Sequence, residues 1–143
     1  MPEPLTDEQL EFLRATLDLA REGSTEALRA RMEAGVPVNL TGGSGDSLLI
    51  LAAYHDHPDT VRMLVEHGAD PDRINDRGQT ALGAAVFRRS AESVQLLLDG
   101  GADPMAGGRS AVSIADFFEL DDMAALLRAA STRAESGDDA PPP

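Results

Sequence analysis

The chain has 143 residues, of which 42% are hydrophobic but only 3% aromatic, so its core must be built mainly from aliphatic side chains and methionine. Its formal net charge of −13 repels phosphate, which disfavours nucleic acid and anionic membranes as partners, although the acidity also serves solubility. The absence of cysteine excludes disulfides and thiolate metal sites. No apolar run approaches the roughly 18 residues of a membrane span, and the start does not resemble a signal peptide. We therefore expect a cytoplasmic protein, and the use of Arg for every basic residue is typical of high-GC bacteria.

The first predicted unit runs from about Leu10 to Gly35 and is more charged than the units that follow it. Asp7 and Glu8 precede it, where acidic side chains favour the dipole of a helix. Its arginines would allow one face to meet water, as the end of a stacked array requires. These arginines are Arg14, Arg21, Arg29 and Arg31.

The following units repeat one another with a period of 33 residues. Gly68-Ala69-Asp70-Pro71 recurs 33 residues later as Gly101-Ala102-Asp103-Pro104, and Gly35-Val36-Pro37-Val38 is a degenerate earlier copy. The segment that begins at Ser47 aligns with the one at Thr80 at the same offset. A fourth copy begins at Ser110, only 30 residues after Thr80, so its connecting loop is shorter. Because one such unit cannot bury its own apolar face, the repetition predicts a solenoid of stacked units.

Each unit predicts two short helices separated by a polar break. Ser47, Thr80 or Ser110 can cap the first helix by accepting a backbone N–H. Pro58 suits the first turn of a second helix. The glycine of the Gly-Ala-Asp-Pro segment can end that second helix in the left-handed conformation, and a turn rich in Asp, Asn and Gly then returns the chain.

This arrangement resembles the ankyrin repeat family, whose repeats contain a Thr-Pro-Leu-His helix start, a downstream Leu-Leu and a Gly-Ala-Asp segment. The resemblance covers roughly Thr16 to Ala130. It implies an all-α solenoid of stacked helix-turn-helix units with short hairpin loops, with about four repeats including degenerate caps. The Thr-Pro-Leu-His element is degenerate, so the family His that ties neighbouring repeats has no counterpart at Ile50, Gly83 or Ser113.

These boundaries divide the chain into an ankyrin repeat domain at residues 1–130 and a tail at residues 131–143. The repeats are placed at approximately residues 8–41, 42–74, 75–107 and 108–130. The tail is polar and acidic and ends in three prolines, so we expect it to be disordered.

The candidate chemical sites have simpler structural explanations. His55 and His57 flank Asp56 and could ligate Zn or Ni, but a metal site needs three or four converging ligands. His57 also falls where the ankyrin pattern often has a His between its helices. Gly42-Gly43-Ser44-Gly45 lacks the Lys-Ser/Thr of a phosphate loop and occupies a hairpin position. The cap hydroxyls have no adjacent base. We therefore assign no catalytic residue, no metal and no cofactor.

Three of the five aromatic residues occupy equivalent positions. Tyr54, Phe87 and Phe117 each lie seven residues after a helix cap. In ankyrin proteins this position, at the end of the first helix, faces the concave groove and often touches the partner. The resemblance therefore assigns Tyr54 and Phe87 to the groove as anchors. The pattern leaves Phe117 open between groove and core, and for the adjacent Phe118 it favours the core.

The other predicted partner-binding residues flank the aromatic positions or lie on the hairpin tips. His55 and Arg88 are the flanking residues. By resemblance, the tips contribute Ser44, Asp46, Ile74, Asp76, Arg77 and Gln79. This composition suits a protein surface better than a small-molecule site. We therefore expect a monomeric adaptor or regulator that binds a protein, and the acidic charge of the chain would suit a basic partner. An accessory subunit of an enzyme encoded nearby and a self-associating protein are the alternatives, and an enzyme or metal protein is not expected.

Overall fold

Four consecutive helix pairs make up the part of the chain that the structure describes. The computed structural model describes the backbone of residues 4–136 and the side chains of residues 4–130. The pairs are α1 (Asp7–Glu22) with α2 (Thr25–Glu33), α3 (Leu48–Tyr54) with α4 (Pro58–Glu66), α5 (Ala81–Phe87) with α6 (Ala91–Asp99), and α7 (Ala111–Phe117) with α8 (Asp121–Ser136). The predicted all-α solenoid is confirmed. None of the described helices is long and apolar enough to cross a membrane.

The helices form two rows with the core between them. The first helix of each pair, called the inner helix, contacts the inner helix of the next pair. The second helix of each pair, called the outer helix, likewise contacts the outer helix of the next pair. In the two middle repeats, every residue of α3 except Tyr54 and every residue of α5 except Phe87 is buried. In α7, by contrast, only Ala111 and Ala115 are buried, because no further inner helix within residues 4–136 covers it.

The predicted helix caps are confirmed. The side-chain oxygens of Ser47, Thr80 and Ser110 each accept the backbone N–H three residues further on, at 3.1, 3.0 and 3.2 Å respectively. Gly68 and Gly101 follow the second helices with φ of +85° and +96°, the left-handed conformation that favours glycine. These local signals therefore fix where each seven-residue inner helix begins and how each outer helix ends.

A histidine ties the first repeat to the second. The Nε2 atom of His57 lies 2.7 Å from the carbonyl oxygen of Arg21, to which it must donate because a carbonyl only accepts. Its ring lies against Gly23, where φ is +74° and an added Cβ would collide with the imidazole. His57 therefore has a structural role in the junction between two repeats.

A buried amide joins the second and third repeats. The Nδ2 atom of Asn75 donates to Asp46 Oδ1 at 2.7 Å and to Gln79 Oε1 at 2.9 Å. Its Oδ1 atom accepts the backbone N–H groups of Arg77 and Gln79 at 2.9 and 3.0 Å. Since Asn75 is buried, these bonds are shielded from water and hold the two neighbouring hairpins, residues 41–47 and 75–79, in fixed positions.

The last helix is longer than the repeat pattern requires. Helix α8 extends through Ser136, so the backbone of residues 131–136 is helical, whereas the sequence analysis assigns these residues to a disordered tail. The segment contains Ala, Arg and Glu, which favour helix, and no helix-breaking residue occurs before Gly137. The rest of the predicted tail, residues 137–143, lies outside the described residues.

Removing one cap oxygen tests the role of the inner-helix caps. Ser47→Ala is expected to lower the free energy of unfolding by about 1 kcal/mol, because the N–H of Ile50 is buried and loses its acceptor. The matched control Ser44→Ala removes the same atom from an exposed hairpin and should change stability by less than about 0.5 kcal/mol. Urea unfolding monitored by circular dichroism measures both, and equal losses would contradict the cap's contribution.

Removing the buried amide tests the link between the hairpins. Asn75→Ala is expected to cost about 2–3 kcal/mol, since two side-chain acceptors and two backbone N–H groups lose their partner. Hydrogen exchange of the Gln79 amide should accelerate in parallel. Arg77→Ala, which keeps the backbone N–H and removes only an exposed side chain, serves as the control. A stability of Asn75→Ala close to that of this control would show that the amide contributes little.

Candidate functional site

Four aromatic side chains form a row across the ends of α3, α5 and α7. The rings of Tyr54 and Phe87 are stacked, with centroids 6.2 Å apart and planes inclined by 5°. Phe87 meets Phe118 edge-on at 5.6 Å, and Phe118 meets Phe117 edge-on at 4.9 Å. We call these four residues the aromatic ladder.

The ladder is exposed, although the two helices that carry Tyr54 and Phe87 are otherwise buried. The exposed fractions are 44% for Tyr54, 45% for Phe87, 49% for Phe118 and 79% for Phe117. Helices α3 and α5 each end one residue beyond their buried stretch, so the ring at that end covers its neighbours with one side and meets solvent with the other. A contiguous apolar surface of this kind on a soluble protein is typical of an interaction site.

The expected burial of Phe118 is wrong. Phe118 is the residue that follows α7, and its ring contacts Phe87 and Phe117 at the surface. The reason is its position in the last repeat, where no fifth inner helix exists in the described residues to cover it. The spacing from the helix cap selects Phe117 as the equivalent of Phe87, but Phe118 is the residue that continues the stack.

The ladder borders a groove with a volume of about 580 Å³. The groove lies along the inner helices, between the ladder at their C-terminal ends and Gln79 and Arg109 at their N-terminal ends. Gly83 and Ala84 lie between these two borders and present little side chain, which leaves the space open. The residues that complete the lining are Ile50, Ser113 and Ile114.

The groove is apolar at the ladder and cationic at the opposite border. Of the described residues that line it, Arg109 alone carries a charge at neutral pH. The backbone N–H of Arg109 donates to the carbonyl oxygen of Gly78 at 3.0 Å, which fixes the base of its exposed side chain. Among the described residues the guanidinium has no ion-pair partner.

His55 lies beside Tyr54, at the end of the ladder that is farthest from Phe117. The ring of His55 meets Tyr54 edge-on at 5.3 Å. Burial lowers the pKa of His55, and the nearby charges of His57, Arg21 and Arg88 lower this pKa further, while Asp46 opposes them. The lowered pKa favours the neutral form of His55, and the nearby guanidinium groups of Arg21 and Arg88 make this end of the ladder unfavourable for another positive charge.

The hairpin residues divide into two groups. Ser44, Ile74, Asp76 and Arg77 are exposed, as is Arg88 at the end of α5. Asp46 and Gln79 instead hold the side chain of Asn75, and the hydroxyl of Ser44 donates to Asp46 at 3.2 Å. Thus the carboxylate of Asp46 is largely occupied within the fold, although the sequence analysis assigns it to partner binding.

Arg109 is the charged groove residue that was not among those predicted from the sequence. It directly precedes the cap Ser110, as Asp46 precedes Ser47 and Gln79 precedes Thr80. This register could have identified it, but the shorter loop of the last repeat obscures the equivalence. The other unassigned groove residues are Ile50, Gly83, Ala84, Ser113, Ile114 and Phe118.

The histidines do not assemble a metal centre in the described part of the chain. No group of three or more His, Asp or Glu side chains in the described residues could hold a metal ion. The ring of His57 bonds to Arg21, and Nδ1 of His67 lies 2.8 Å from the carbonyl oxygen of Met63. These two rings are therefore engaged within the fold.

Comparisons with known proteins agree with this architecture. A family model described as ankyrin repeats (three copies) matches residues 17–107. An ankyrin repeat protein of Pseudomonas aeruginosa is 48% identical over 63 residues, which cover 43% of this chain and 37% of that protein. The human ASB11 ankyrin repeat domain has a similar structure, with a TM-score of 0.71 and 28% identity, covering 80% of this chain and 52% of that chain.

The chain thus spans about half or less of each of these two relatives. The family match nevertheless covers more than half of the chain and includes the helix pairs of both middle repeats. With its stacked helix pairs and its 33-residue period, the chain belongs to the ankyrin repeat family.

Proposed function

We propose that this protein is an adaptor or regulator that binds a protein partner through the aromatic ladder and the adjoining groove. Ankyrin repeats are generally protein–protein interaction modules and are typically not enzymes. The observation that carries the proposal is the exposure of Tyr54 and Phe87, which belong to the ladder, at the ends of two helices that are otherwise buried. Aromatic side chains are enriched among residues that dominate binding energy, which makes Tyr54 and Phe87 the expected anchors.

The surface is organised before a partner arrives. The ladder rings contact one another, so their side chains lose little freedom on binding. Asn75 fixes the two neighbouring hairpins, one of which carries the exposed residues Asp76 and Arg77 and directly follows the exposed Ile74. An apolar centre with a polar and charged border is the usual anatomy of a protein interface.

The net charge of this chain acts on the overall charge of a partner protein. With a net charge of −13, the chain attracts a protein whose overall charge is positive and repels one that is strongly acidic. This attraction acts mainly on the rate of encounter and weakens as salt is added. It does not decide the charge of the segment that enters the groove, which depends on the side chains in contact.

Truncation of the ladder tests the proposal. The purified protein is used as bait in extracts of its host, beside the Tyr54→Ala/Phe87→Ala double variant. A partner captured by the unmodified protein should be lost by the double variant, with affinity reduced by at least about thirtyfold in a titration with the purified partner, because removal of one hot-spot aromatic costs about 2 kcal/mol.

Phe12→Ala supplies the matched control, because Phe12 is a similarly exposed aromatic on α1 and lies outside the groove. It should retain the partner. Both variants should keep the helical circular dichroism signal of the unmodified protein, since the removed rings are surface residues. A partner bound equally well by all three proteins would place the interface elsewhere and contradict the proposal.

A further inference from the structure

The groove combines an apolar border and a cationic border at a fixed separation. Gln79 and Phe87 are eight residues apart across one inner helix, so the borders lie roughly 12 Å from each other at 1.5 Å per residue. The aromatic ladder forms the apolar border, and Arg109 with Gln79 forms the other. A ligand that fills the groove must therefore carry an apolar group and a polar group at different ends.

Arg109 is available to a ligand. Its side chain is exposed, it lines the groove, and it has no ion-pair partner among the described residues. The carboxylate at the equivalent position of an earlier repeat, Asp46, is occupied by Asn75 and Ser44. A guanidinium offers paired N–H donors that match a carboxylate, so an acidic group is its natural counterpart.

The ladder alone would also suit a cation, because a cation binds over an aromatic face, but the neighbouring charges disfavour one. Arg109 at one border and Arg88 beside Phe87 would repel a positive charge.

An extended peptide fits both borders. Alternate side chains of an extended chain point the same way and lie about 6.4–6.8 Å apart. An apolar side chain and an acidic side chain two residues away, together with their own reach, therefore cover the distance between the ladder and Arg109. Gly83 and Ala84 leave room for the apolar side chain beside Ile114.

We infer that the groove binds an extended acidic segment of a protein partner, with an aromatic or aliphatic side chain against the ladder and a carboxylate on Arg109. This inference rests on the proposed function and adds the chemistry of the bound segment. It separates the local preference of the groove from the net charge of −13, which by itself favours a basic partner.

Selection from a random peptide library tests the inference without knowledge of the partner. A phage-displayed library of 12-residue peptides is panned against the full chain at low and at physiological salt. The enriched peptides should carry an aromatic or aliphatic residue with Asp or Glu within about three positions. Arg109→Glu should weaken a synthesised, fluorescein-labelled enriched peptide by about tenfold or more in fluorescence anisotropy, since it replaces a charge-assisted contact by repulsion.

Arg128→Glu is the matched control, because it makes the same charge change on the exposed surface of the outer helix α8. It should leave the peptide affinity within about twofold. Panning against Arg109→Glu should in turn enrich Lys or Arg where the unmodified protein enriches Asp or Glu. Circular dichroism and urea unfolding confirm that each variant is folded.

The possible outcomes separate this inference from the proposed function. The inference that the bound segment is acidic would be overturned by any of three results. These are enrichment of peptides without acidic residues, an equal effect of Arg109→Glu and Arg128→Glu on peptide affinity, and no enrichment at all. The groove itself would still stand if Tyr54→Ala/Phe87→Ala abolishes capture of the protein partner. Peptides that bind this double variant as tightly as the unmodified protein would contradict both.

Discussion

The burial of the inner helices between neighbouring repeats is the constraint on which the rest of the structure depends. A seven-residue helix is too short to be stable alone, because the free-energy cost of nucleation exceeds the gain from the hydrogen bonds of two turns. In the middle repeats this deficit is met by burying six consecutive residues, Leu48–Ala53 in α3 and Ala81–Val86 in α5. A hydroxyl cap at each start keeps the buried backbone hydrogen-bonded. Each helix is thus stable only because its neighbours are present.

The same constraint produces the candidate site. In α3 and α5 the buried stretch ends one residue before the helix ends, so the last side chain projects beyond the core. Aromatic residues at these positions in successive repeats come together as Tyr54 and Phe87, and Phe118 extends the row. Small residues in the third repeat, Gly83 and Ala84, keep the adjoining space open. The candidate site therefore arises from the repeat itself, without an inserted loop among the described residues.

Charge acts at two distances in this protein. At long range the 25 acidic residues outnumber the 12 basic ones, which favours positively charged partners and solubility. Within the groove Arg109 is the charged side chain in the described lining, and Asp46 is engaged with Asn75. Contact specificity in a partly enclosed groove follows from the near side chains, because water and salt screen the distant ones. Burial lowers the pKa of His55, which favours the uncharged form of this ring beside the ladder.

The sequence by itself determined the features that depend on neighbours along the chain. The 33-residue period, the caps Ser47, Thr80 and Ser110, and the left-handed glycines all express local backbone requirements, so they could be identified without the fold. The period also indicated the equivalence of Tyr54 and Phe87. The length of α8 was misjudged because a polar, Pro-terminated segment obscured residues that favour helix.

Only the tertiary structure decided which side chains meet across repeats. It placed Phe118 rather than Phe117 against Phe87, brought Arg109 to the groove, and engaged Asp46 with Asn75. These outcomes depend on how far one repeat is displaced and rotated relative to the next, and on which helix face is left uncovered at the end of the stack. Neither quantity is encoded in the spacing of residues within a single repeat, because it arises from the packing of all the core side chains together.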